Sequence, residues 1–146
     1  MGDPSQTGKE DSGQIPSLTV KRLREQGVDL KIDLYLSISN KPNFSKIGKK
    51  LDAKPKGFMT QVIQSIEQVQ NLSDNLEGFP IIPILLYPSL KNEKSAKFLN
   101  LDLSSYSKEF EELLKKTLGI TGDVLLTSPN DFNGLNEFLG KTPSRV

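Results

Sequence analysis

The stretch Gly78–Leu103 constrains this chain most. Phe79 to Tyr87 is an apolar run carrying Pro80 and Pro83, and after a short polar break Leu99, Leu101 and Leu103 alternate with Phe98, Asn100 and Asp102. A segment that is apolar at every position reads as a strand covered on both faces, and strict alternation reads as one covered on a single face. Pro83 brings no amide donor, so the first strand is expected at a sheet edge or beside a bulge. Leu90–Ser95 has the length of a hairpin connection, which makes Phe98–Leu103 the expected return strand.

Upstream, Leu30, Ile32, Leu34, Leu36 and Ile38 alternate with Lys31, Asp33, Tyr35, Ser37 and Ser39, the signature of a strand with one apolar face. Before it, Val20–Gln26 reads as two helical turns capped by Thr19 and stopped by Gly27, with a short edge strand as the other choice. Between Lys41 and Gly57, Phe44, Ile47 and Leu51 sit three and four apart, the mark of a short helix ended by Pro55 and Gly57. Phe58, Val62, Ile66, Val69, Leu72 and Leu76 continue that spacing and predict one long amphipathic helix stopped by Gly78. Downstream, Ser104 or Ser105 caps a helix with Tyr106, Phe110, Leu113, Leu114, Thr117 and Leu118 on its apolar stripe, ended by Gly119. Its acids lie toward the N-terminus and its lysines toward the C-terminus, as the helix dipole favours. Asp123–Thr127 is a short strand. Ser128, Pro129 and Asp131 then form a helix start in the cap, N1 and N3 positions, with Phe132, Leu135, Phe138 and Leu139 packing that helix back.

The element order strand, helix, strand, strand, helix, strand is that of a ferredoxin-like split βαβ sandwich, here an α+β domain with an added C-terminal helix. The alternative is a small three-layer α/β fold with a mostly parallel sheet, in which Phe98–Leu103 is loop. The 146 residues make one domain, expected over 17–140, with polar tails at 1–16 and 141–146.

Composition narrows the chemistry. The chain has no Cys and no His, which removes disulfides, thiol nucleophiles, Cys/His zinc sites and histidine acid–base catalysis. No metal site and no cofactor is implied, and the balance leans away from an enzyme. No apolar segment reaches membrane-spanning length and the first residues do not resemble a secretory signal, so a cytoplasmic or otherwise intracellular protein is expected. Net charge is only +1, yet Lys41, Lys46, Lys49, Lys50, Lys54 and Lys56 face a single acid, Asp52, between Lys41 and Gly57. That segment carries +5 and the rest of the chain −4.

Three functions follow. The first is a noncatalytic protein–protein interaction or assembly module, oligomeric or docked in a larger complex, which uses the uncovered sheet face and an exposed edge. Its interaction residues are Tyr35, Phe98, Pro83 and Phe132. The second is nucleic-acid or phosphate binding through the six lysines, which track a backbone electrostatically and read no bases. The third is metal-dependent phosphoryl-transfer or nuclease-type chemistry, in which Asp33 and Asp102 on neighbouring strands hold Mg²⁺. No phosphate-cradling glycine pattern is present, and Ser128 is better placed as a helix cap than as a nucleophile. The ending Ser144-Arg-Val146 has the form of a segment that adds as a strand to a carboxylate-binding groove.

Overall fold

A computed structural model describes residues 16–27 and 34–141. The elements are α1 (Pro16–Glu25), β1 (Tyr35–Ile38), a 3-10 turn (Phe44–Lys46), α2 (Gly48–Asp52), β2 (Gly57–Val62) and α3 (Ile66–Asn75). β3 (Ile81–Leu86), a second 3-10 turn (Leu90–Asn92), α4 (Glu93–Phe98), α5 (Leu103–Thr121), β4 (Leu125–Thr127) and α6 (Phe132–Lys141) follow. The strands form one sheet in the order β1-β2-β3-β4, and every pairing is parallel.

An all-parallel sheet with flanking helices overturns the ferredoxin-like expectation and agrees with the parallel-sheet alternative. Phe98 does not open a return strand. It ends α4, and Leu99–Asp102 is a short connection to α5. The alternation of Leu99, Leu101 and Leu103 has a simpler cause, because Asn100 takes a left-handed conformation (φ 56°) and turns the chain between two helices. Leu101 N–H donates to Ala96 O at 2.8 Å across that turn. Leu90–Ser95 is likewise helical, with Ser89 accepting from Lys91 N–H at the start of the 3-10 turn.

The expected long helix from Phe58 to Leu76 is a strand followed by a helix. Phe58, Val62 and Ile66 fall four apart by coincidence, since the chain from Gly57 to Val62 pairs with both β1 and β3. β1 begins at Tyr35, so the earlier part of its expected span, 30–33, lies outside the described residues, as do 1–15 and 142–146. α5 runs past Gly119 to Thr121, where Gly122 (φ 78°) closes it in the left-handed conformation and donates to Leu118 O. Its N-cap is Asp102, not a serine.

β3 is an inner strand, so Pro83 is not at an edge. The expected bulge is there, on β2, where the register shifts between Met59 and Val62. The extra residue brings Thr60 Oγ1 to accept from Ile84 N–H at 3.0 Å, while Ile63 N–H donates to Ile84 O at 2.8 Å. Ile84 therefore addresses β2, and its neighbour Pro83 points toward β4, whose pairing starts only at Ile84↔Leu125. The missing donor falls where no strand needs it.

Consecutive strand order with right-handed crossovers sends every connection to the same side of a parallel sheet. Leu36, Ile38, Phe58, Ile63, Ile81 and Leu85 line that side and pack with Val69 and Leu72 of α3 and with Tyr106, Phe110 and Leu113 of α5. Phe44 and Ile47 of the first crossover join the same cluster. α6 is held by aromatic contacts, with Phe138 5.6 Å from Tyr87 and 5.7 Å from Phe110 between ring centroids. Phe132 and Leu139, expected to pack with it, are exposed instead, and Leu135 is the buried anchor. α1 is tied to the first crossover by Arg24, whose guanidinium donates to Ala53 O at 2.6 Å.

Candidate functional site: the Tyr35 face, the lysine crossover and the carboxyl end of the sheet

Register decides which residues share the second face of the sheet. Tyr35 pairs with Gly57, Ser37 with Met59, Met59 with Ile82, and Ile84 with Leu125, so these residues share the face opposite the core residues Leu36, Phe58, Ile81 and Leu85. Tyr35, Met59, Ile82 and Ile84 are half-buried and none belongs to the core cluster, while Leu125 is 43% exposed. Leu86, at the carboxyl end, is buried there, as is Gly57 under the Tyr35 ring. Gly57 is required beneath Tyr35, because a Cβ at that position would collide with the Tyr35 ring and the Pro80 carbonyl. The described residues of this face are uncharged: Tyr35, Ser37, Met59, Ile82 and Ile84 line it, Val62 pairs with Ile84 beyond the bulge, and Leu125 and Thr127 come from β4.

The expected interaction residues separate. Tyr35 lies on this face. Pro83 is among the most deeply buried side chains, on the helix-covered side, and presents no edge. Phe98 and Phe132 sit elsewhere, on the segments that follow β3 and β4, and are 78% and 70% exposed; Leu90, after β3, is 84% exposed. Leu90 was hidden in the sequence because it stands alone in a polar connection.

The carboxyl end of the sheet is built by a polar network. Asn92 is fully buried, and its Nδ2 donates to Tyr87 O and to Ser128 Oγ, each at 3.0 Å, while its Oδ1 accepts from Asn130 N–H at 2.9 Å. Ser128 donates to Asp131 O at 2.7 Å. Asp131, not Ser128, caps α6: it accepts from Gly134 N–H at 2.9 Å and from the Ser89 hydroxyl, and Lys91 stands 3.9 Å away. The Ser89 hydrogen bond and the Gly134 amide hold its carboxyl below the usual carboxylate range. Gly134 leaves the space that this carboxylate fills.

The lysine segment forms the crossover from β1 to β2. It runs from Lys41 at the carboxyl end of β1, through Lys46 and Lys49, to Lys54 and Lys56 before β2, and all five are exposed. Spanning the sheet from end to end spreads them over about 15 Å. Lys50 differs: it is half-buried, and its ammonium donates to Ser37 O at 2.6 Å on the outer edge of β1. A cation on an edge carbonyl blunts that edge against further strand addition.

Of the two expected metal ligands only Asp102 lies among the described residues. Asp33 is outside the described residues, and Asp102 is occupied as the α5 cap, accepting from Ser105 Oγ at 2.8 Å and Ser104 N–H at 3.2 Å. Those bonds, the Ser105 hydroxyl first, hold its carboxyl low. Asp102 borders a cleft of about 440 Å³ between α3 and α5 that also carries Glu67, Glu109 and Glu112. Among the described residues no group of three or more His, Cys, Asp or Glu side chains is placed to hold a metal, and no helix is long and apolar enough to cross a membrane.

Comparison with protein-family models and with curated proteins finds no match. The functional reading therefore stands on geometry.

Proposed function

We propose that this chain is a noncatalytic association module that works through the Tyr35 face of its sheet, pairing with a second copy or docking in a larger assembly. The observation that supports this reading is the half-buried apolar row Tyr35, Met59, Ile82 and Ile84, running to exposed Leu125, on the side opposite the crossover helices. Apolar surface of that kind gains free energy when a partner removes it from water, about 25 cal/mol for each Å². Its described residues carry no charge, so none of them repels an identical face.

Sedimentation velocity over a range of concentrations tests the proposal. Association that weakens at least about tenfold in Met59→Lys and Leu125→Lys, with the urea midpoint held, is the expected result. A chain that is monomeric at every concentration, and that recovers no partner in an unbiased pull-down, contradicts it.

A second reading is favoured by the lysine crossover, whose five exposed amines and single acid suit a polyanion such as nucleic acid. Titration with single-stranded RNA at two salt concentrations decides it. Affinity that falls with salt and with Lys46→Glu plus Lys49→Glu supports it, and affinity indifferent to both removes it.

A further inference from the structure

Leu90, Phe98 and Phe132 are not among the residues of the Tyr35 face and have no part in the association proposed for it. Leu90 and Phe98 are eight positions apart along the 3-10 turn and α4, a separation of about 12 Å at helical rise. Asn92 and Ala96 take the inward side of this segment and are buried, so Leu90 and Phe98 stand on the outward side. The hydrogen bond from Ser89 to Asp131 joins the start of the 3-10 turn to the start of α6. Phe132, the residue after Asp131, is exposed and is joined to this segment through that bond.

Cations are interleaved with these side chains. Lys91, Lys94 and Lys97 are all exposed on the same segment, against one outward acid, Glu93, which sits 3.5 Å from Lys97. Asp131 is 11% exposed, and its oxygens are engaged by Ser89 and Gly134, with Lys91 at 3.9 Å. Lys94 has no ion-pair partner among the described residues.

We propose that this patch is a peripheral docking site for an anionic lipid surface. Leu90, Phe98 and Phe132 enter the boundary between headgroups and acyl chains, and Lys91, Lys94 and Lys97 meet the anionic headgroups. Apolar side chains that protrude singly between cations suit a medium that deforms around them, whereas a folded protein would need a matched pocket for each. A second copy is a poor occupant, because antiparallel apposition of two α4 helices sets Lys94 against Lys94 and Lys91 against Lys97. Neither the apolar nor the electrostatic contribution of so small a patch anchors a protein alone, so the binding requires both.

The test is cosedimentation of the full chain with vesicles of phosphatidylcholine alone and of phosphatidylcholine containing about 30 mol % phosphatidylserine. Binding is expected to the anionic vesicles, to weaken with salt, and to drop about tenfold in Phe98→Ser and in Leu90→Ser. Lys94→Glu is expected to lower it by at least about fivefold, and Lys46→Glu with Lys49→Glu to leave it unchanged. These side chains are solvent-exposed, so the urea midpoint reports whether each variant keeps the fold. The proposal is overturned by absence of binding to anionic vesicles, by binding that persists in both Phe98→Ser and Lys94→Glu, or by binding that depends on Lys46 and Lys49 instead. It is also overturned by self-association abolished by Phe98→Ser in a chain that ignores vesicles. That outcome leaves the Tyr35 face untouched, since the two surfaces share no residue.

Discussion

Asn92 ties together two loops at the carboxyl end of the sheet. It is fully buried and makes three hydrogen bonds, to Tyr87 O, Ser128 Oγ and Asn130 N–H, which lock the loop after β3 to the loop after β4. Truncation to Ala leaves buried polar groups without partners as well as losing the bonds, and is expected to cost about 3 kcal/mol in urea unfolding. An unchanged midpoint would mean that the two loops are held by something else. Asp131 adds a pH dependence. Its native carboxyl is held low by Ser89 and by the Gly134 amide, so its contribution is present above the unfolded value of about 4 and disappears as pH falls through the lowered native value. Asp131→Asn should therefore flatten the acid limb of the stability profile, with its largest deficit near neutral pH and almost none at the acid end. Acid unfolding of the two proteins followed by circular dichroism checks this. Neither role was legible beforehand: Asn92 sat in a segment read as a polar connection, and Asp131 was read as the third residue of a helix that it instead caps. Both outcomes depend on contacts between loops far apart in sequence, which local pattern does not encode.

At the scale of elements, the bulge opposite Pro83 is where local rule and tertiary pairing meet. Pro83 signalled a strand that lacks one donor, and an edge or a bulge were the two ways to accommodate it. The inner position of β3 selected the bulge, and Thr60 supplies a side-chain oxygen where β2 has shifted out of register. Thr60→Val keeps the shape and removes that acceptor, leaving Ile84 N–H unpaired, and should cost about 2 kcal/mol. Faster amide exchange at Ile84 in the variant would confirm the bond, and no change would contradict it. The helices α5 and α6 were readable from their apolar stripes because each is long enough for the period to repeat. β2 was not, since its residues happened to continue the spacing of α3 and only pairing on both sides made them a strand. The return strand failed for the converse reason. Two turns of helix ending at a left-handed Asn100 put Leu99, Leu101 and Leu103 two apart without any sheet. Gly119 and Gly122 differ similarly, in that only Gly122 occupies the positive φ that ends a helix.

For the whole molecule, the order β1-β2-β3-β4 matters more than any one contact. Four parallel strands in chain order send their crossovers to one side, so the core gathers under α3 and α5 and the Tyr35 face is left with apolar residues that the core does not use. The alternation in β1 carries the expectation of one-sided packing on an antiparallel sheet, whereas the sheet is parallel with flanking helices. The same connectivity strings the lysines along the first crossover and places Leu90, Phe98 and Phe132 after β3 and β4, so the three surfaces share no residue. Met59 gives direct access to the first of them, because the chain has only two methionines and the other is Met1. Its ε-methyl, labelled with ¹³C, can be followed by NMR with a water-soluble paramagnetic probe as protein concentration rises. Association through the Tyr35 face predicts that the Met59 signal shifts and loses its sensitivity to the probe together with the rise in sedimentation coefficient. A Met59 methyl equally accessible at every concentration, in a chain that nevertheless assembles, would place the interface elsewhere and contradict the account.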